Sequence, residues 1–409
     1  MGILVSDDNG VVAELPGFSP LAQSGTSLCV PRPEEISEMP NGAHLYFLPN
    51  RTPLARKRGI KHAPGLAVSA ILPQGYTRTL LPAYAPPFAQ SWLPYFGYTA
   101  VFPKDGKLFV GAIPTQADSK WDPKSFPKEI LQRKISARLK QAPKNRVLHQ
   151  LAYCASEYHC YTAANIFFKR WEGALPVSPS CNAFCRGCIS KAIDAGPPSP
   201  QDRLAFLPSL EECVQIAREH FMHAQEPILS FGQGCEGEPS LQASLIEKII
   251  EAVKPDFPQG QFNLNTNGSR PKAIERLCKA GLDSIRVSLN CAYEPWYHAY
   301  YRPTNYAFKD VRETIRIAKA HGVFVSLNLL CFPGVTDYEK EMNAFFSFLS
   351  EVKPDMIQLR NLNIDPWCYL KECIQEEIKG IGMVKWLRQI KRTFPKIQIG
   401  NYTPYIKAR

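Results

Sequence analysis

From residue 174 to about 365 the sequence keeps an alternation that few folds accommodate. Short runs that read as strands, ALPVSPS, PILSFGQG, QFNLNTNG, SIRVSLN, FVSLNLLCFP and MIQLRNLN, are separated by segments of helical periodicity such as SLEECVQIAREHFMHA, LQASLIEKIIEAV and KDVRETIRIAKAHG. Strand, helix and strand again imply right-handed crossovers and a parallel sheet. Six such strands predict an α/β fold built on a partial or full parallel (β/α) barrel of the TIM type. In barrels and open parallel sheets the chemistry gathers at the C-terminal ends of the strands. Every distinctive motif in this half of the chain falls at such an end.

The rest of the chain divides by texture. Residues 1–115 are rich in proline and aromatics, with β-like runs such as AHLYFLP, GYTAVFP and KLFVGAI, and predict a small β-rich domain. Within it, the 36–64 stretch, with its RTPLARKRGIKHAPG ending, reads as loop. Residues 116–173 turn helical, with KEILQRKISARLKQ and then RVLHQLAYCASEYHCYTAANIFFKRWEG, and no glycine before Gly173 in that run. The core is expected over 174–370, and a C-terminal helix and strand over 371–409.

The loop after the first core strand reads SPSCNAFCRGCIS, placing Cys181, Cys185 and Cys188 in a C-x3-C-x2-C pattern. All-sulfur metal sites usually take four thiolates. Three thiolates leave two readings. A zinc site would need a distant fourth ligand, whereas a [4Fe–4S] cluster held by three cysteines leaves one iron open to an exogenous chelator. Thirteen cysteines, an odd number and unevenly clustered, argue for a reducing compartment with metal chemistry rather than a disulfide framework. Cys154 and Cys160, spaced C-x5-C, are candidates with Cys235 for a second iron–sulfur site.

CNAFCRGC after the first barrel strand resembles the signature of the radical S-adenosylmethionine (radical SAM) superfamily. It is close to the C-N-x-x-C-x-x-C form of the molybdenum-cofactor cyclases and viperin. The resemblance implies that Cys181, Cys185 and Cys188 ligate a [4Fe–4S] cluster whose open iron binds the amino and carboxylate groups of SAM. It extends along the strands. GQGCEGEPSL resembles the family's glycine-rich segment, placing Gly237, Glu238 and Pro239 by the SAM ammonium group, with Glu236 a competitor. NTNG resembles the T-N-G of the cyclase-type members and brings Thr266, Asn267 and Gly268 to the site. VSLN stands where the family often reads S-L-D, so Ser288 and Asn290 become candidates for the ribose hydroxyls. LLCFPGVTD resembles segments whose Pro-Gly turn shapes the SAM pocket, and QLRNLNIDP offers Gln358, Arg360, Asn361 and Asn363. One departure stands out: many members place an aromatic residue before the third cysteine, near the adenine, and this chain has Gly187. Adenine packing is then expected from Phe184 or Ile189. No cysteine follows Cys373, which argues against a C-terminal auxiliary cluster.

The chemistry so implied is reductive cleavage of SAM to a 5′-deoxyadenosyl radical, which abstracts hydrogen from a substrate. It calls for a flavodoxin- or ferredoxin-like electron donor and a nearly dry pocket. The N-terminal zone is expected to cover the barrel mouth, and the aromatic segment YEPWYHAYYRPTNY to line a substrate pocket or serve as a lid. The substrate is a small molecule, peptide or protein on the leading reading. Charge motivates an alternative. Residues 51–170 carry 19 Lys+Arg against 5 Asp+Glu, a net of +14, whereas 1–50 net −5 and 171–409 net +2. Such a zone either faces RNA or forms a solvated surface. A non-enzymatic iron–sulfur or zinc protein is the third class. No apolar run of about 18 residues predicts a membrane span, and the N-terminus lacks a secretory pattern, so a cytoplasmic location is expected.

Overall fold

The computed structural model describes residues 2–87, 91–116, 118–191 and 196–406. Its centre is a seven-stranded parallel sheet in sequence order: Glu172–Ala174, Ile228–Phe231, Gln261–Thr266, Ser284–Leu289, Phe324–Cys331, Met356–Asn361 and Gln398–Gly400. Together with its connecting helices this is the expected partial barrel. The helices present apolar stripes to it. On Ala243–Val253, for example, Ile246, Ile249, Ile250 and Val253 follow the one-face helical spacing and are completely buried. Helix Leu210–His223 begins with a reciprocal cap: the Ser209 hydroxyl accepts from the Glu212 amide, and the Glu212 carboxylate accepts from the Ser209 amide.

The concave face of the sheet is polar, and the reason is legible in the strands. In the fourth, SIRVSL, the side chains alternate faces: Ile285, Val287 and Leu289 are fully buried on one, and Ser284, Arg286 and Ser288 occupy the other. The inward groups join across strands. Ser230 Oγ donates to Glu172 (2.6 Å), Asn263 Nδ2 to Ser230 Oγ (2.9 Å), and Ser284 Oγ to Asn263 Oδ1 (2.9 Å). Apolar inward residues would have filled this space by packing. The polar ladder instead lines a space with hydrogen-bonding groups.

The fold departs from the sequence expectations in four places. The first core strand is only Glu172–Ala174, because Pro176 and Pro179 have no amide hydrogen to continue the ladder. The long helical run after residue 145 is two helices, Arg146–Ser156 and Tyr161–Phe168, broken where His159 adopts a left-handed conformation. The 36–64 stretch expected as loop contains strands Ser37–Glu38 and His44–Leu48 and an antiparallel hairpin, Leu54–Arg56 with Ile60–His62. The expected C-terminal strand, Gln398–Gly400, joins the core sheet as a seventh member beside the six that periodicity indicates.

Residues 2–116 form small antiparallel sheets, the largest ordering Val12–Leu15, Ile3–Ser6, Leu66–Ile71 and His44–Leu48. They dock on the C-terminal ends of the fifth and sixth core strands. The buried Arg78 guanidinium donates to the carbonyls of Tyr98 (2.9 Å), Leu362 (3.2 Å) and Cys331 (3.4 Å), while Arg78 N and Tyr76 O bind the Asn361 side chain. Arg51 pairs with Asp365 at 2.6 Å, both side chains wholly buried. These two cations of the basic zone therefore belong to the interior and not to a surface patch. Among the described residues no helix is long and apolar enough to cross a membrane.

Candidate active site

The cysteine loop is clamped from two sides. After Ala174 the chain runs extended through the buried Val177, where the Glu236 carboxylate accepts the amides of Val177 (2.8 Å) and Ser178 (2.9 Å) with one oxygen and those of Gly232 (2.6 Å) and Gln233 (2.9 Å) with the other. Burial nevertheless raises this carboxyl to about 7. The glycine-rich loop after the second strand thus staples the cysteine loop to itself. Gly237 N then donates to Ser178 O (2.7 Å) and Glu238 N to Ser180 O (2.8 Å). A Cβ on Gly237 would lie 1.9 Å from the Ser180 carbonyl oxygen, so only glycine allows this approach. Gly237→Ala is expected to cost at least ~2 kcal/mol, as forced overpacking does, measured by urea denaturation, and to lower iron uptake on reconstitution; wild-type stability in that variant would show that the loops can part freely.

The other side of the clamp is the aromatic segment. YEPWYHAY forms the helix Glu294–Tyr301, and Arg302 follows in a left-handed conformation that turns the chain back. Phe184 N donates to Tyr301 O (3.0 Å), Arg186 N to Tyr300 O (2.9 Å) and Thr304 N to Asn182 O (3.1 Å). Asn182, the residue after the first cysteine, ties this loop to the third strand's end: its Oδ1 accepts from Asn267 Nδ2 at 2.9 Å. A Cβ on Gly187 would meet the Tyr300 hydroxyl at 2.7 Å. The Tyr300 hydroxyl, from the neighbouring helix, fills the space a side chain at position 187 would need. Phe184 is 44% exposed, with Lys191 over its ring, and so faces solvent; Ile189 lines the cavity described below.

Cys181, Cys185 and Cys188 are all half-buried free thiols. Burial pushes the Cys185 thiol well up, and the neighbouring Cys188 and Cys181 add to it; burial followed by Glu238 raises Cys181. Neighbouring thiols that resist ionisation, as Cys181 and Cys185 do, want a cationic partner, the condition under which metal binding drives their protons off. The Arg203 guanidinium lies 3.3 Å from Cys188 Sγ, the one protein cation within hydrogen-bonding reach of these sulfurs among the described residues. No group of three or more His, Cys, Asp and Glu among the described residues is gathered around a single ion position. A cluster needs no such convergence, because each of its irons takes its own thiolate.

Glu238 is buried and engaged within the protein. It accepts from Thr266 Oγ1 (2.6 Å), Ser240 N (3.0 Å) and Asn267 N (2.7 Å), and burial raises its carboxyl above the ordinary range. Pro239 starts the short 3-10 turn that follows. Ser288 reaches the cavity. Asn290, beyond it on the fourth strand, lies outside the cavity lining and donates to the Tyr369 hydroxyl at 3.2 Å.

The cavity, about 500 Å³, opens between Cys185, Gly187 and Cys188 on one side and the inward residues of the later strands on the other, with Leu72–Tyr76 of the N-terminal sheets forming part of its wall. Its lining carries polar atoms that are buried and unpartnered: Asn265 Nδ2, Arg286 Nε, Asn328 Oδ1, Asn401 Oδ1 and the Tyr301 hydroxyl. Orphaned buried groups are costly unless a ligand or water satisfies them, so this lining fits a polar ligand. Another cavity of about 590 Å³ lies at the opposite, N-terminal end of the strands, among ion pairs already closed, Lys319–Asp355 and, beside it, Lys254–Asp283. That end of a parallel sheet serves stability rather than chemistry.

A second group of thiols stands behind the glycine-rich loop. The Cys154 thiol, together with burial, holds the Cys235 thiol well up, Cys160 adds to this, and Cys154 in turn raises Cys160, which burial raises most. Cys160 N also donates to Cys154 O at 3.1 Å, and among the described residues no three such side chains converge on one ion position.

Residues 175–346 match the radical SAM superfamily. No curated protein matches the chain. Among solved structures, the tryptophan-binding radical SAM methyltransferase TsrM from Kitasatospora setae is 14% identical with a TM-score of 0.37, over 47% of this chain and 36% of that one. Methylornithine synthase is 14% identical with a TM-score of 0.38, over 69% and 74% of the two chains. A radical SAM methyltransferase from Sphaerobacter thermophilus is 13% identical with a TM-score of 0.41, over 58% and 67%. The chain thus spans little more than a third of the first of these. The superfamily match covers the stretch from the cysteine loop through the fifth core strand, 175–346.

Proposed function

We propose that Cys181, Cys185 and Cys188 hold a [4Fe–4S] cluster, that SAM completes the coordination of its open iron, and that the enzyme abstracts hydrogen from a substrate held in the 500 Å³ cavity. The chemistry supplied by the bound pair is one-electron cleavage of SAM to a 5′-deoxyadenosyl radical. The observation that carries the reading is the shared cavity: two of the three thiols open onto the same space as the unpartnered Asn265, Arg286, Asn328 and Asn401.

The chain's own residues do the rest. Asn182 and Asn267 lock the cysteine loop to the third strand, and Glu236 and Gly237 lock it to the second. Ser288 offers a hydroxyl from the fourth strand, Gly237 to Pro239 supply backbone against Ser180 and Cys181 behind the cavity, and Asn290 supports this wall through Tyr369. Tyr300 stands where a planar base adjoining the third cysteine would be flanked. Leu72–Tyr76 and Tyr95, whose hydroxyl donates to Arg186 O at 3.1 Å, cover the mouth and keep water from a reactive intermediate. The electron comes from a flavodoxin- or ferredoxin-like donor approaching the exposed side of the loop, where Phe184 and Lys191 lie.

The test is anaerobic. The full chain is reconstituted with iron and sulfide, reduced with dithionite and given SAM, and 5′-deoxyadenosine is quantified alongside iron. About four irons per chain with deoxyadenosine formed supports the reading. Zinc in place of iron, or SAM left intact, removes it and leaves a metal-stapled barrel. The grouping of Cys154, Cys160 and Cys235 favours one extension: a second cluster, which would bring the content to about eight irons.

A further inference from the structure

The cavity contains two arginines that the proposed cluster and SAM contacts do not use. Arg286 stands on the fourth strand and Arg360 on the sixth, with Asn328 of the fifth between them. Both lie deep in the protein yet keep part of their surface on the cavity. Neither makes an ion pair with any described residue. Arg286 Nη1 reaches only the Gln358 amide oxygen, at 3.4 Å, and its Nε has no partner; Arg360 stacks over Tyr402 at 5.8 Å.

Each guanidinium is penalised by burial, and Arg360 is depressed further by Arg286, to about 10. Glu172 is the carboxylate that favours both charges, and the hydroxyls of Ser230 (2.6 Å) and Thr403 (3.2 Å) already occupy its Oε1. Glu236, the acid of the cavity lining, accepts four backbone amides. Two half-buried cations therefore share one partly occupied counter-charge. Buried charges in proteins are paired or hydrogen-bonded, and an arginine fork matches the geometry of an oxyanion.

We propose that the substrate carries an oxyanion, a carboxylate or a phosphate, which Arg286 and Arg360 grip, while Asn265, Asn328 and Asn401 hydrogen-bond its polar body. This deepens the reading given above and rests on it, since the cavity is the one that opens on the cysteine loop. The arginines lie on strands four and six, whereas the cysteines follow strand one, so the grip would hold the substrate's far end and leave its body toward the thiols.

The grip is testable without iron or SAM. The full-length protein, at constant ionic strength set by chloride, is titrated separately with inorganic phosphate and with succinate, followed by calorimetry. Saturable binding of one of them, weakened at least ~10-fold in Arg286→Gln and in Arg360→Gln, is expected, and the anion that binds identifies the group. Arg360→Lys keeps the charge without the fork and is expected to fall between, with thermal melts showing that each variant is folded. SAM affinity of the reconstituted variants should stay within ~2-fold of wild type. Binding of neither anion, equal binding by wild type and variants, or loss of SAM affinity in parallel with the anion would each overturn the proposal, the last by assigning the arginines to the SAM carboxylate. Failure of the iron and deoxyadenosine assay alone would count against the cluster reading, since the anion titration is independent of it.

Discussion

Cys185→Ala is expected to lose the cluster: iron after reconstitution falls from about four per chain towards zero, and deoxyadenosine falls to the level seen without protein. Burial raises the Cys185 thiol well above its ordinary value, and both Cys188 and Cys181 add to it. Replacing it removes one of only three protein ligands, and the remaining two leave two irons without protein coordination. The fold itself should persist, because the loop's position rests on backbone bonds to Glu236, Tyr300, Tyr301 and Asn182 that do not involve the thiol. Circular dichroism of the metal-free variant should match metal-free wild type, which separates loss of metal from loss of structure. Cys154→Ala is the companion. Iron unchanged at about four assigns the other thiol group a packing role, whereas a fall from about eight to about four makes it a second site. Deoxyadenosine formation that survives Cys185→Ala would sink the assignment of the loop.

The sheet was legible because period-2 apolar runs between helical segments say where strands are, and crossover chirality says they are parallel. The motif-bearing loops followed from the strand ends. What stayed hidden was tertiary. A C-terminal strand was expected, but that Gln398–Gly400 joins the core sheet depends on its pairing with Met356–Gln358. The reason for Gly187 lies more than a hundred residues away in Tyr300, whose hydroxyl claims the space a side chain would need. The hairpin at 54–62 was read as loop because its charged, exposed residues carry no apolar alternation; it is held by backbone pairing and by packing of Ala55. Arg286 and Arg360 were visible as residues, but that they share one cavity depends on the stagger between strands four and six.

Arg51→Met is expected to lower the unfolding free energy by about 3–5 kcal/mol, the cost of leaving one member of a buried pair alone. Asp365 has no access to water, and its Oδ2 accepts both Arg51 Nη2 (2.6 Å) and Leu93 N (3.1 Å), while Oδ1 accepts Trp367 N (2.9 Å). The guanidinium also donates to Ser91 O at 2.7 Å. One buried carboxylate on the segment after the sixth core strand thus gathers two separate stretches of the N-terminal sheets. Removing the cation strands a charge between the sheets and the barrel, so the damage should concentrate at that junction. Limited proteolysis should cut within residues 1–115 sooner in the variant, and the cavity wall at Leu72–Tyr76 should loosen with it. Asp365→Leu combined with Arg51→Met supplies the control. If the loss is that of an uncompensated charge, removing the carboxylate as well should restore part of the stability. Recovery cannot be complete, because the amides of Leu93 and Trp367 lose their acceptor, each at about 1–3 kcal/mol when left buried and unpaired. A single variant as stable as wild type would show that the ion pair does not hold the N-terminal sheets on the barrel, and that Arg78 with Asn361 suffices to close the mouth.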